Sequence, residues 1–334
     1  MSRLRLGLVG AGEVAALHVG AALELSDLIR ITAVADPRPE AARLLAARCD
    51  AVPLPDHEEL AASGLVDAVV VASPHHVHCD QVVYLAAAGL PILVEKPMAL
   101  SVTDCERMMR AAAAGGVPLA VGHLQRYLPT IAAASRLLAE GRIGRPRMFL
   151  ERRSVRYEPG THPAWFFDAD AAGTGGIVTN IGAHCVDKLF LFTGCRIATA
   201  TSAWTGGDAV ATEVACMLDL AEDAHATMVL TGTGLPEGEL SEVVGSTGAM
   251  RISRTDGVSV FARGEVVHRL PAAADEVPRA FVAQLADFHA AVVGARPPVV
   301  GGDYGRDVLR VLEQVIAVAN RPGATTPEGR PSSL

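Results

Sequence analysis

No stretch of the 334-residue chain approaches the roughly 18 to 20 consecutive apolar residues that a membrane span needs. Residues 1–5 run straight into an apolar segment of strand length followed by glycine, too short for the core of a signal peptide. The six cysteines, Cys49, Cys79, Cys105, Cys185, Cys195 and Cys216, include no CxxC pair and no metal-ligand spacing. Reduced thiols in a cytoplasmic protein are therefore expected, without a metal. Cations gather nowhere beyond the dispersed Arg142, Arg145, Arg147, Arg152 and Arg153, and the formal charge is −8, which argues against nucleic acid as a partner. No internal repeat occurs. A small-molecule partner is the expectation that survives these absences.

What is present is apolar: 50% of the residues, on a chain long enough for two domains, allow a sizeable core and exclude disordered and fibrous classes. Short apolar runs at 4–9, 31–35, 68–72, 92–94 and 119–121 alternate with helical patterns at 14–25, 39–48, 78–89 and 103–114. That rhythm predicts βαβ units and a doubly wound, parallel Rossmann sheet over residues 1–122. After residue 145 come strand-like runs at 147–155, 197–203, 212–218, 224–230, 239–244, 250–252, 258–261 and 266–269, with one helix pattern, 182–192, among them. Strands without intervening helices predict an α+β second domain, 123–302, with a large open, mostly antiparallel sheet. Helical patterns follow at 279–293 and 304–320, and the Pro-, Gly- and Ser-containing end, 321–334, reads as a flexible tail.

The first strand leads into Gly10-Ala11-Gly12-Glu13-Val14-Ala15, a G-x-G-x-x-A match in its proper strand-to-helix context. The glycines suit a tight turn and close phosphate approach, with pyrophosphate at the helix N-terminus. Asp36 ends the second strand, where a carboxylate can grip the adenosine ribose and repel the additional phosphate of NADP. NAD is therefore expected over NADP, although Arg38, two residues on, can swing to a 2′-phosphate. The Ser73-Pro74-His75-His76-Val77-His78 stretch lacks the spacing of a known zinc helix, so its histidines read as surface or cofactor-contacting groups.

Lys96, in Glu95-Lys96-Pro97, stands at the carboxyl end of a parallel strand, where open α/β sheets place ligands. Asn180, His184 and Asp187 fall at i, i+4 and i+7, one face of a helix if its first turn has begun by Asn180. Histidine has the pKa to take a proton near neutral pH, and a nearby lysine favours a developing alkoxide.

These motifs, taken in order with His18, Asp36-Pro37, Ser73-Pro74, His78, "VGHLQRYLP" and "GGIVTNIGAHCVDKLFLFTG", resemble the Gfo/Idh/MocA family of nicotinamide-dependent oxidoreductases. The resemblance implies a Rossmann domain, an open-sheet second domain whose face supports homodimers or homotetramers, and a last helix, about 303–320, packing back on the first domain. It implies cofactor contacts from Gly10, Gly12, Glu13, Val14, Asp36, Arg38, Ser73, Pro74, His78, Glu95 and Lys96, with Lys96 as the active-site lysine. His184 is then the expected general base. One family pattern has aspartate four residues before this histidine, where this chain has Asn180; an amide cannot relay a proton but can orient a hydroxyl.

Substrate contacts are expected from Asn180 and His184, from Arg126 and Tyr127 beyond the fifth strand, and from Arg153, Tyr157, His162 and Trp165, whose aromatic and polar mix suits sugar rings. The alternatives stay open at this stage: Arg126 and Tyr127 as a hinge between domains, Trp165 and Phe166 as packing of their own loop. The reading is an NAD-dependent dehydrogenase acting on a secondary alcohol of a sugar, amino sugar or cyclitol, with antibiotic-sugar biosynthesis a fitting context. Its rivals are an NADPH-dependent ketoreductase of a nucleotide-linked keto sugar and a cofactor-binding regulatory protein without turnover.

Overall fold

A computed structural model describes residues 3–321 apart from 174, 208, 222 and 233. The first domain runs β1 (Leu4–Val9), α1 (Glu13–Glu24), β2 (Ile29–Ala35), α2 (Pro39–Ala47), β3 (Val52–Leu54) and α3 (His57–Ala62). It continues with β4 (Ala68–Val71), α4 (His78–Ala87), β5 (Ile92–Glu95), α5 (Val102–Gly115) and β6 (Leu119–Gly122). All of its sheet pairings are parallel, in the order β3-β2-β1-β4-β5-β6. Every residue of β4 and β5 is buried, as both faces of a covered parallel sheet require. The chain reverses its direction of travel between β1 and β4, and that switch point opens a crevice at their carboxyl ends.

Beyond β6 lie α6 (Pro129–Ala139), β7 (Pro146–Ser154), two short helices, α7 (Ala169–Ala172) and α8 (Ile177–Asn180), and then α9 (Gly182–Thr193). The strands β8 (Ala198–Gly206), β9 (Glu213–Leu220), β10 (His225–Thr231), β11 (Gly238–Gly245), β12 (Ala249–Ser253), β13 (Gly257–Ala262) and β14 (Glu265–Leu270) follow. They join β7 in an eight-stranded sheet, β14-β13-β12-β11-β7-β10-β9-β8, antiparallel except for β7 beside β10. The sequence predicts one helix among these strands; α7 and α8 also interrupt them, too short for a periodic pattern to register.

Strand β9 shows how the sheet divides inside from outside. Val214, Cys216 and Leu218 are buried, while Ala215, Met217 and Asp219 face out. The outward face also carries Met148, Trp204 and Val229, each more than two-fifths exposed.

Helix α10 (Glu276–Val293), which the sequence places within 123–302, packs on both parts of the chain: its Glu276 accepts from the Thr130 N–H in the first turn of α6 at 2.8 Å. Its Phe281, Leu285 and Phe288 are buried in one cluster with Leu4, Leu6 and Leu8 of β1 and Ala15 and Val19 of α1, so its apolar face covers the first domain. Residues 300–301 then run against the free edge of β6, where the Val121 N–H donates to the Val300 carbonyl. The last helix, α11 (Gly302–Ala319), packs on α5 and β6 of the first domain and on α9 and β8 of the second. Its Val308, Leu309, Leu312 and Val315 make one continuous core of the two. The tail expected at 321–334 lies outside the described residues, Arg321 excepted.

Candidate active site

The crevice begins at Gly10, whose φ of +97° is a conformation that favours glycine, and where a Cβ would stand 2.7 Å from the Ala72 carbonyl oxygen at the end of β4. Gly12, the N-cap of α1, brings no side-chain cap, and Glu13 and Val14 behind it are exposed. The first N–H groups of a 12-residue helix therefore face open space, as a pyrophosphate would need. Asp36, 4% exposed, accepts from the Ala11 N–H at 2.8 Å and the Arg38 N–H at 2.9 Å. The Arg38 guanidinium folds back on the same carboxylate at 3.0 and 3.1 Å. Burial works to raise the Asp36 pKa, but the bonds from Arg38 and Ala11 win and hold it below the usual carboxylate range. The loop, the free helix end and the ionised Asp36 fit a dinucleotide with a free ribose diol.

Several residues expected at the cofactor lie behind this surface. His78 is buried, with Nε2 2.9 Å from the Ser73 carbonyl and Nδ1 3.2 Å from that of Pro97, so it ties the ends of β4 and β5 together. His75 is buried as well, edge-on to Trp165 at 4.8 Å; of that histidine group His76 alone is exposed. The Ser73 hydroxyl donates to Gln81, and Pro74 precedes the short turn that starts this segment. Glu95 ends β5 beside Gly122 of β6 and is paired with His18 at 2.8 Å, and a Cβ on Gly122 would collide with its carboxylate. Burial would raise Glu95; the bond from His18 holds it below its ordinary value.

Lys96 stands at the end of β5, and its Nζ donates to Asn180 Oδ1 at 2.8 Å and to the Asn180 carbonyl at 3.3 Å. Burial and the charge of Arg153 outweigh the pull of Glu95 and lower Lys96 to about 8. Asn180 closes α8, and Ile181 carries the helical backbone into α9, so Asn180 and His184 share a face as the spacing predicts. Burial, then the charges of Lys96 and Arg153, push His184 well below 6.5. Its Nδ1 is buried without a hydrogen-bond partner among the described residues.

The remaining expected substrate contacts divide. Tyr157 is 1% exposed; its hydroxyl lies at the Asn180 amide and donates to the Phe166 carbonyl at 3.4 Å, and burial raises it to about 12. His162 stacks on Phe166 at 4.9 Å, and Trp165 packs on Phe166 at 4.2 Å, so this loop makes its own aromatic core beside His75. Arg126 and Tyr127 serve the contact between domains. The Arg126 guanidinium pairs with the fully buried Asp187 at 3.3 Å and lies 4.5 Å over the Tyr304 ring of α11, while the Tyr127 hydroxyl donates to Asp287 of α10 at 2.9 Å. Tyr304 completes this group by donating to Asp187 at 2.7 Å.

Sequence reasoning missed the layer beneath. One turn after His184, Lys188 is wholly buried and bonds Glu151 of β7 and the Ser241 hydroxyl of β11 at 3.0 Å. Burial would lower it, but Glu151 and Glu239 hold it above its ordinary value. Glu239 lies 3.9 Å from Lys188 and 3.6 Å from Arg153, linking the buried pair to the site. The available signal was a lysine that follows Asp187 directly and is flanked by the apolar Cys185, Val186, Leu189 and Phe190.

Residues 4–123 match the family described as an oxidoreductase family with an NAD-binding Rossmann fold, and residues 131–251 match the GFO/IDH/MocA C-terminal domain. The rhizopine catabolism protein MocA of Rhizobium meliloti is 32% identical over 334 residues, covering 96% of each chain. Inositol 2-dehydrogenase 2 of Saccharopolyspora erythraea is 32% identical over 203 residues, 60% of this chain and 56% of its own. Among solved structures, GenD2 from gentamicin A biosynthesis in complex with NAD shares 25% identity at a TM-score of 0.84, covering 96% of this chain and 95% of that one.

Proposed function

The chain belongs to the Gfo/Idh/MocA oxidoreductase family, with its NAD-binding Rossmann fold at residues 4–123, and from that premise we propose that it oxidises a secondary alcohol of a sugar, amino sugar or cyclitol to a ketone. The observation that carries this reading is Lys96, a half-buried amine at the carboxyl end of β5, set beside Asn180 and His184 from the second domain. NAD, when bound, supplies the hydride acceptor. The protein's part is to hold the hydroxyl among Lys96, Asn180 and His184 and to take up its proton. Arg153, 14% exposed at its side chain and paired with Glu239 at 3.6 Å, is the cation of β7 that this reading assigns to a further oxygen of the substrate.

The names of the relatives guide the choice of substrate. MocA belongs to rhizopine catabolism, the second relative is an inositol dehydrogenase, and GenD2 comes from gentamicin A biosynthesis, which together favour cyclitols and amino sugars. Purified protein with NAD should form NADH, seen by absorbance, with at least one member of a panel of inositols, sugars, amino sugars, aminoglycosides and nucleotide sugars. Tight NAD binding with no NADH from any of them, and no reoxidation of NADH by the corresponding ketones, would favour a regulatory protein instead.

A homodimer or homotetramer formed through the outer face of the eight-stranded sheet belongs to the same reading. Met148, Trp204, Met217 and Val229 leave an apolar band there that water covers at a cost. Sedimentation equilibrium should give a multiple of 34.7 kDa at micromolar concentration, reduced by Met217→Lys with Val229→Lys. A single 34.7 kDa species for the unaltered chain would refute the assembly.

A further inference from the structure

The inner face of the eight-stranded sheet is covered by α9, which packs on β7 and β10, and it opens at one end. Along β7, Phe149 and Glu151 are 0% and 2% exposed; along β11, Val243 and Ser241 are 0% and 1% exposed. The next inward residues, Arg153 and Glu239, stand opposite each other in the strand register and keep 14% and 11% of their side chains exposed. Just past the end of β7, Tyr157 turns back to the Asn180 amide, so the opening lies on the side of Lys96, Asn180 and His184. The helix face that carries His184 reaches the same place: Lys188, one turn on, holds its Nζ 3.9 Å from Glu239.

Arg153 and Glu239 form an unfinished contact. Nη1 of the guanidinium lies 3.6 Å from Oε2 of the carboxylate, an attraction between charges but too long for a hydrogen bond. Among the described residues, no hydrogen bond joins either group to a protein partner. The layer beneath is complete by contrast: Lys188 donates to Glu151 and to Ser241, and Ser241 donates to Glu151. Charged groups this far withdrawn from water are costly without hydrogen bonds, and such groups have partners. The crevice is the remaining source of them, through water in the free protein and through a ligand in the complex.

Charge then selects the chemistry of that ligand. The pair is neutral as a unit. An ammonium brought to Glu239 also meets Arg153 and Lys188, and a carboxylate or phosphate brought to Arg153 also meets Glu239. Two neighbouring hydroxyls meet no such conflict: one donates to the carboxylate while the other accepts from the guanidinium. We infer that Arg153 and Glu239 together bind two adjacent hydroxyls of a neutral polyol ring, at carbons other than the one oxidised beside Lys96, and so select against an amine or an acid at those two positions. This rests on the alcohol-oxidation reading above and narrows it, because any amino group of the substrate then lies elsewhere on the ring.

The test is calorimetric binding to the full chain loaded with NADH, first of a panel of neutral inositols and aldohexoses, then of the monodeoxy and monoamino analogues of the tightest binder. Removing the hydroxyl at either of two adjacent ring positions should cost at least about tenfold in affinity, and an ammonium in its place should not restore it. Glu239→Gln exchanges a charged acceptor for a neutral one, so affinity for the parent polyol should fall about tenfold. The analogue lacking the hydroxyl that Glu239 receives should change by less than about twofold in that variant, and NADH affinity should hold. Arg153→Gln should act in the same selective way at the adjacent position. A loss shared equally by the parent and all its analogues would make the pair structural and overturn the inference. An amine or carboxylate preferred over hydroxyl at those positions would overturn it too, as would the failure of every neutral polyol to bind at millimolar concentration. The analogue series on the unaltered chain decides the matter if the variants do not fold. Binding needs no turnover, so a polyol held by the pair but never oxidised would sink the oxidation reading and leave this assignment standing.

Discussion

Asp36→Asn is the substitution that tests the cofactor crevice most sharply. The carboxylate receives the Ala11 N–H on Oδ2 and the Arg38 N–H on Oδ1, so an amide, with a single acceptor oxygen, must abandon one of them. Either loss leaves a backbone donor of the loop unmatched, at about 1 to 3 kcal/mol, and a ribose hydroxyl donating to a charged oxygen forfeits a bond of about 1.5 to 3 kcal/mol. The two costs fall partly on the free protein, so NAD affinity should drop by roughly 10- to 100-fold. Arg38 behaves differently because its side chain is 69% exposed: its pair with Asp36 is worth about 0 to 1 kcal/mol, and Arg38→Ala should leave NAD within about fivefold. NADP should gain in Asp36→Asn, where Arg38 is released to a 2′-phosphate, and lose that gain in the double variant. Calorimetric titration of each variant with both cofactors provides the measurement. Because Asp36 stays ionised below the usual range, the NAD preference should not change between pH 6 and 9 through this group. Unchanged NAD affinity in Asp36→Asn, or a tenfold loss in Arg38→Ala, would show that Asp36 does not read the ribose.

Two further variants test the interior. Lys188→Met leaves Glu151 buried without its cation and should cost roughly 3 to 5 kcal/mol in chemical denaturation, much of it restored by adding Glu151→Gln; an unchanged midpoint would mean the pair is solvated. Tyr127→Phe removes one bond to Asp287, which keeps Arg296 at 2.6 Å, so it should lower stability by about 1 kcal/mol with KM unaffected. A selective rise in KM would return Tyr127 to the substrate.

The parallel core was legible because its central strands have little choice. Val69, Val70 and Val71 are buried on both faces and read as an unbroken apolar run bounded by turn residues. The edge is another matter: β3 holds Val52 and Pro53, both exposed, and α3 is a six-residue helix fixed by the Asp56 cap, neither long enough to show a period. Helix α6 opens with Pro129 at its first position, a start signal that went unread. The buried stripe of α10 shows in the sequence as Phe281, Leu285 and Phe288 at i, i+4 and i+7. A stripe says that something covers it and not what, so the pattern alone does not show that α10 lies on β1 and α1.

At the site, the sequence identified residues by type and spacing, and the structure supplies their partners. Lys96 and Asn180 meet across 84 positions, Arg126 and Asp187 across 61, and Tyr304 reaches Asp187 across 117, distances at which no local pattern operates. Partner identity then alters the chemistry. The same helix face that marks His184 as a base by its intrinsic pKa places it among cations, where a further positive charge is unwelcome. Lys188 extends the argument. A methionine would fill its place beneath the sheet without a desolvation penalty, and buried ion pairs seldom add stability over such a residue. What the Lys188–Glu151 pair does provide is a fixed field one turn below His184, coupled through Glu239 to Arg153. A cationic surround that keeps the imidazole neutral also favours negative charge on an oxygen held beside it, which lowers the cost of a developing alkoxide.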